Sequence, residues 1–138
     1  MPGILSGLLP KVISPKTHGV IDYIHASTNF VAGTVLRRSN RRASNAAFAL
    51  GAGILANALM TDYPLGIFPL YSFRVHGALD YGIAAASASM PKLLGIEDVP
   101  GVQFFKWQGR GEGIIEAMTD YRDMQGPRRR RMFLRKAA

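Results

Sequence analysis

An internal repeat constrains the fold of this chain more than any other feature of its sequence. When the sequence is compared with itself at an offset of 58 residues, 13 of the 50 positions in 14–63 are identical to their counterparts in 72–121, without a gap. Each copy opens with His-Gly-x-x-Asp-Tyr, at His18 and His76, and closes with Met-Thr-Asp-Tyr, at Met60 and Met118. Because chance would supply only a few identities, we predict two copies of one supersecondary unit.

Each copy is predicted to be a helical hairpin. Ser14 followed by Pro15 is typical of a helix start, since a hydroxyl caps the first turn and proline is favoured at the first helical position, and Ser72 repeats the cap. Strand signals are weak because the apolar stretches lack alternation. The predicted helices cover 15–36, 43–62, 73–93 and 101–121. We therefore expect an all-α bundle with an N-terminal segment (1–13), a first hairpin repeat (14–66), a second hairpin repeat (72–123) and a basic C-terminal tail (124–138).

Composition excludes several classes of protein. The chain of 138 residues has room for one modest domain, and its 48% hydrophobic content excludes disorder for most of it. It contains no cysteine, which excludes a disulfide framework, a thiol nucleophile and a metal site held by its own thiolates. Serine and threonine occur without a recognisable nucleophile elbow or triad, and the glycines lack a phosphate-loop pattern. The sequence therefore favours a role without catalysis, and it implies no particular cofactor.

The apolar stretches predict a bundle in lipid. Residues 43–61 contain no charge, and this stretch is long enough to cross a hydrocarbon core of about 30 Å. The middles of the first and third predicted helices, 26–36 and 81–91, are also free of charge. The fourth helix carries its charges on one broad face and its apolar residues on the other. Because the repeat makes it the counterpart of the second helix, we expect four transmembrane crossings.

Several motifs resemble a known family. His-Gly-x-x-Asp-Tyr, the proline fifteen residues after His76 (Pro91) and Thr-Asp-Tyr-Pro-Leu-Gly at 61–66 resemble small bacterial integral membrane proteins related to the SPW-repeat family. Members of that family have repeats of two transmembrane helices, with a Ser-Pro-Trp motif near the end of the first. In this chain Ser-Met-Pro-Lys stands at that place, at 89–92. The resemblance covers about 13–123, and it implies architecture and membrane location only.

Basic residues are concentrated towards the C terminus. With four crossings, both termini and the loop at 63–73 share a side that collects ten cations, which favours cytoplasmic termini, although four arginines at 37–42 favour the opposite orientation. The tail interleaves its cations with apolar residues, which is typical of a segment that contacts anionic lipid headgroups. An acidic partner subunit is the alternative, and nucleic acid is a weak inference from charge alone. The predicted contact residues are Arg128, Arg129, Arg130, Arg131, Arg135 and Lys136.

Ionisable residues of both repeats should gather at one end of an up-down bundle, because each predicted hairpin begins and ends there. His18 and Asp22 are four residues apart, as are His76 and Asp80, so each pair shares a helix face. Further acidic residues repeat or extend this pattern near the ends of the second and fourth helices. The candidate residues for a structural, ion or proton site are His18, Asp22, Asp62, His76, Asp80, Glu116 and Asp120.

Three interpretations of this cluster are open. The sequence favours a structural one, in which histidine–carboxylate pairs lock the hairpins, because a symmetric fold needs the same lock twice. The second is a metal site with His18, Asp22, His76 and Asp80 as candidate ligands. The third is a path for protons or small solutes.

The expected function follows from the architecture. We expect a multi-pass protein of the bacterial inner membrane with a structural or accessory role, as a subunit of a larger membrane complex. Its expected partners are a bilayer with anionic lipids and other membrane subunits. The alternatives are a membrane-embedded metal-binding or proton-conducting site and, third, a soluble basic helical bundle that binds an acidic partner.

Overall fold

Four α-helices form two hairpins in the computed structural model, which describes residues 7–122. In chain order the helices are α1 (Pro15–Leu36), α2 (Arg41–Met60), α3 (Phe73–Leu93) and α4 (Gln103–Met118). The predicted all-α fold with four helices is confirmed. The basic tail, 124–138, and with it the predicted lipid contacts, lies outside the described residues.

The helix starts follow the capping pattern of the sequence. The side chains of Ser14 and Ser72 accept hydrogen bonds from backbone N–H groups three residues on, at Thr17 and Val75. Helix α2 begins two residues earlier than predicted, because the Asn40 side chain accepts a hydrogen bond from the Ala43 N–H and so caps the helix before the arginine pair.

The second and fourth helices end earlier than predicted because the chain turns extended at the same threonine of each repeat. Thr61 has φ −86° and ψ 139°, and Thr119 has φ −83° and ψ 135°. Thr61 opens the strand β1 (Thr61–Asp62), which pairs in parallel with β2 (Tyr71–Ser72). Thr119 forms the corresponding parallel bridge with Ile13. The end of each repeat therefore pairs with the start of the other, which gives the two hairpins an approximate twofold relation.

Repeated glycines permit close approach within each hairpin. A Cβ atom built on Gly51 of α2 would lie 3.0 Å from the Asn29 Cβ of α1, and one on Gly109 of α4 would lie 2.5 Å from the Ala84 carbonyl oxygen of α3. Gly51 and Gly109 are related by the 58-residue repeat. Both hairpins thus bring their helix backbones together at the same position, as small residues allow in tightly packed helix pairs.

The core divides into two parts along the bundle. Near the hairpin loops, apolar side chains from all four helices and from the α3–α4 loop pack together, with Phe105 and Ala47 fully buried. At the other end the buried cluster is aromatic, with Tyr63 and Phe73 packed on Ala58. Among the described helices, only α2 is long and apolar enough to cross a membrane, a test that a core helix of a soluble protein also passes.

We predict that Gly109→Ala destabilises the protein by about 1–3 kcal/mol, because the added methyl group would overlap the backbone of α3. The control is Gly111→Ala on the same helix, where a Cβ atom would meet nothing within 4 Å. That change should raise stability by roughly 0.5–1 kcal/mol through helix propensity. Thermal unfolding of the two variants measures the difference, and equal melting temperatures would contradict the close approach of α4 to α3.

Candidate functional site

Two histidines and two aspartates meet at the end of the bundle where both hairpins begin. His18 and Asp22 come from α1, and His76 and Asp80 come from α3. Each offers one ligand atom, and these four atoms all lie within 4.8 Å of one another. Both histidines are fully buried, and their Nε2 atoms are 3.1 Å apart. The predicted convergence of the two pairs is therefore present in the structure.

Three carboxylates surround the two Nε2 atoms. Asp80 Oδ2 lies 2.7 Å from His76 Nε2 and 3.2 Å from His18 Nε2. Asp22 turns one oxygen to each ring, with both distances 3.3 Å. Glu116 of α4 adds Oε1 at 3.4 Å from His18 Nε2. The centre thus consists of two imidazole nitrogens and carboxylate oxygens.

A threonine of the opposite repeat contacts the other nitrogen of each ring. Thr61 Oγ1 lies 2.7 Å from His76 Nδ1, and Thr119 Oγ1 lies 2.9 Å from His18 Nδ1. Each hydroxyl also donates its hydrogen to a backbone carbonyl four residues back, at 2.6 Å for Thr61 and 2.7 Å for Thr119. A hydroxyl has one hydrogen and a carbonyl can only accept, so each threonine oxygen must accept from Nδ1–H. In a neutral imidazole with Nδ1–H, Nε2 carries a lone pair.

Tyrosine and asparagine side chains hold the carboxylates in place. Tyr63 donates to Asp22 Oδ2 at 3.1 Å, and Asn57 Nδ2 donates to Asp80 Oδ1 at 2.6 Å. Tyr121 donates to Glu116 Oε2. Burial and the neighbouring Asp22 carboxylate raise the pKa of Tyr63 far above its usual value, so its hydroxyl keeps the proton that it donates. Each acid of the centre therefore has an outer hydrogen-bond donor, as the ligands of metal sites commonly have.

Aromatic rings enclose the centre. Phe73 lies edge-on to the His18 ring, with centroids 5.3 Å apart, and stacks on Tyr63 at 5.5 Å. The Tyr63 and Tyr121 rings occupy the space beside Gly19 and Gly77, where a Cβ atom would lie 2.7 Å and 2.5 Å from ring carbons. The glycine of each His-Gly motif thus makes room for the tyrosine that closes the same repeat.

Two predicted residues lie outside this group. The structure joins His18, Asp22, His76, Asp80 and Glu116, whereas Asp62 and Asp120 are half-buried and Asp120 Oδ1 instead accepts from the Arg122 N–H at 3.0 Å. The reason is the extended backbone after each helix. Successive side chains of an extended segment point to opposite sides, so the threonine and tyrosine of Thr-Asp-Tyr face the centre and the aspartate between them does not.

Sequence reasoning did not assign Thr61, Thr119, Tyr63, Tyr121 and Asn57 to the site. The signal for four of them was present, because Thr and Tyr recur at the end of both repeats. Asn57 has no such signal, since Ile115 stands at its repeat-related position.

The centre contains more carboxyl groups than histidines. Within residues 7–122, the ion-pair partners of Asp22, Asp80 and Glu116 are the two histidines, and no lysine or arginine reaches them. Carboxylates removed from water need a cation beside them, because burial of an unpaired charge is strongly unfavourable. The charge is balanced either by a metal ion bound through the Nε2 atoms or by protons held on the rings and carboxyl groups of the centre, because the two Nε2 atoms lie within hydrogen-bond distance of each other and of Asp80.

Comparison with known proteins adds no family assignment. No protein-family model matches the chain, and no curated protein and no solved structure matches it. The resemblance to SPW-repeat proteins therefore stays a prediction.

Proposed function

We propose that this chain is a multi-pass membrane protein whose two hairpins bind one divalent transition-metal ion between His18 and His76. The observation that carries the proposal is the pair of threonine contacts, which place a proton on Nδ1 of each ring and leave the two Nε2 atoms, 3.1 Å apart, as the nitrogens that can bind an ion. Two lone pairs facing each other and a set of carboxylates repel unless a cation lies among them.

The separation of the two nitrogens suits a single ion. Metal–nitrogen bonds to histidine are about 2.0–2.1 Å, so two ligands on one ion lie roughly 3.0 Å apart at a right angle and roughly 3.4 Å apart at a tetrahedral angle. The Nε2 atoms are 3.1 Å apart, within this range.

The donor set indicates the class of metal. Imidazole nitrogen suits zinc, iron and neighbouring transition metals, whereas an all-oxygen set suits magnesium or calcium. Two histidines with Asp22 and Asp80 therefore favour an ion such as Zn²⁺ or Fe²⁺, whose two charges match the two aspartates. The ion would join α1 to α3 and so stabilise the contact between the hairpins.

A structural lock without metal is the second candidate. It is favoured by the duplication of the histidine–aspartate pair, since each hairpin contributes the same two groups. In this arrangement each Nε2 carries a proton and donates it to a carboxylate, and the protein serves as an accessory subunit held together by buried ion pairs.

The distribution of polar and apolar residues supports a location in the membrane. Large apolar side chains lie on the outside of the bundle, including Val31 and Val35 of α1 at 63% and 68% exposure and Trp107 of α4 at 68%. The inside holds the ionisable centre. Membrane proteins place polar groups in the bundle interior and apolar groups towards lipid, so we extend the single apolar span of α2 to four crossings. The bacterial inner membrane and anionic lipids at the basic tail belong to this proposal.

We predict that the protein purified without chelators contains about one divalent transition-metal ion per chain. His18→Asn and His76→Asn should each lose most of this metal, because each removes one of the two nitrogen ligands. His25→Asn is the matched control, since His25 lies on the same helix as His18 but outside the ligand group, and it should keep the metal. Elemental analysis of the four proteins measures this. Metal-free wild-type protein after growth and dialysis with Zn²⁺ or Fe²⁺ would contradict the metal proposal and favour the lock.

We also predict that the tagged full-length protein stays in the membrane pellet through an alkaline carbonate wash and is released by detergent. Carbonate strips proteins that are held to the surface by charge alone, including a protein bound only through its basic tail. A variant that ends at residue 123 should behave in the same way if the bundle itself crosses the membrane. Release by carbonate would contradict the proposed crossings.

A further inference from the structure

The twofold relation between the hairpins is broken along one face of α4. Three positions that are apolar in α2 are polar at the repeat-related places of α4: Leu50 is replaced by Gln108, Ile54 by Glu112 and Ala58 by Glu116. All six side chains are buried, with exposures of 8%, 2% and 0% in α2 and 8%, 3% and 1% in α4. The same interior is therefore built once from hydrocarbon and once from polar groups.

The three polar residues form a row that ends at the candidate metal centre. They are spaced four residues apart, which places them on one helix face over about 12 Å. Glu116 lies at the inner end, with Oε1 at 3.4 Å from His18 Nε2. Gln108 lies at the other end of the row, and all three side chains are buried.

Most of the row lacks protein partners. Within residues 7–122, Gln108 Nε2, Gln108 Oε1 and Glu112 Oε2 are buried without a hydrogen-bond partner, and the fourth such atom is Asn29 Oδ1 beside Gly51. A buried polar atom without a partner is destabilising, because the loss of its hydrogen bonds to water is not compensated. The first repeat shows that the fold does not need these groups, because Leu50 and Ile54 occupy the equivalent positions. Water molecules or a passing ion would supply the missing hydrogen-bond partners or ligands for these unpaired atoms, which form a row towards the centre.

We propose that Gln108, Glu112 and Glu116 line a hydrated route along α4 through which a metal cation reaches the His18–His76 centre. The passage of metal depends on the proposed function, whereas the hydration of the route does not. Carboxyl and amide oxygens are ligands for a cation rather than for an anion. The repeat-related positions of α2 are apolar, so the polar lining lies on α4 alone.

The absence of cysteine from the chain makes this route directly testable. Each single-cysteine variant carries one thiol, whose reaction with a charged methanethiosulfonate requires water and a thiolate, and a thiol in apolar surroundings is inert. Gln108→Cys is compared with Leu50→Cys, since both positions are 8% exposed, and Glu112→Cys is compared with Ile54→Cys, at 3% and 2%. If one variant fails to fold, the other pair still provides the comparison. Circular dichroism measures whether each variant keeps the helical content of the wild-type protein.

We expect the cysteines of α4 to react at least about tenfold faster than their α2 counterparts with the cationic reagent, and faster with the cationic than with the anionic reagent. Equal rates within both pairs would overturn the hydrated route, and faster reaction with the anionic reagent would overturn its preference for cations. The result is independent of the metal content of the wild-type protein. A metal-free protein with reactive α4 cysteines contradicts the proposed function alone, and a metalloprotein with inert ones contradicts the route alone.

Discussion

The single hydrogen of a threonine hydroxyl determines which nitrogen of each histidine at the centre always carries a proton. Thr61 and Thr119 each donate it to a carbonyl of their own helix, so their oxygens can only accept from the histidine Nδ1 atoms. The Nε2 atoms of both rings lie towards each other and towards the carboxyl groups, so their protonation or metal binding sets the charge of the centre. These hydrogen bonds connect the two repeats. The threonine of the first repeat orients the histidine of the second, and the threonine of the second repeat orients the histidine of the first. The centre is therefore complete only when both hairpins are docked.

Backbone pairing places these threonines where they are needed. Each threonine is the residue at which a helix ends and the chain becomes extended, and each pairs with the start of the other repeat. A helix that continued for one more turn would carry the hydroxyl away from the ring and would close the gap that the tyrosines fill. The two short parallel bridges are related by the approximate twofold of the fold. They therefore place the two threonines at equivalent positions beside the two histidines.

The repeat predicted a large part of this structure. Helix number, helix starts and the meeting of His18 with His76 follow from sequence, because caps and four-residue spacing are local and the repeat supplies the symmetry. The roles of the threonines and tyrosines do not follow, since they depend on the loss of helical geometry after Met60 and Met118, which tertiary pairing decides. Asp62 shows the same limit: it shares the motif but points away once the segment is extended. From the sequence, the polar row of α4 could be predicted only as charges on one helix face. The structure shows that these residues are buried, like the apolar residues at the equivalent positions of α2.

The most direct test of this account is ¹⁵N NMR of the imidazole nitrogens of His18 and His76, recorded on metal-free protein and after addition of one equivalent of Zn²⁺. The account predicts that Nδ1 is protonated in both rings throughout, and that Zn²⁺ shifts both Nε2 resonances together while His25 is unchanged. Protons on both nitrogens of both rings, with no response to the metal, would contradict it and show a centre held together by buried ion pairs.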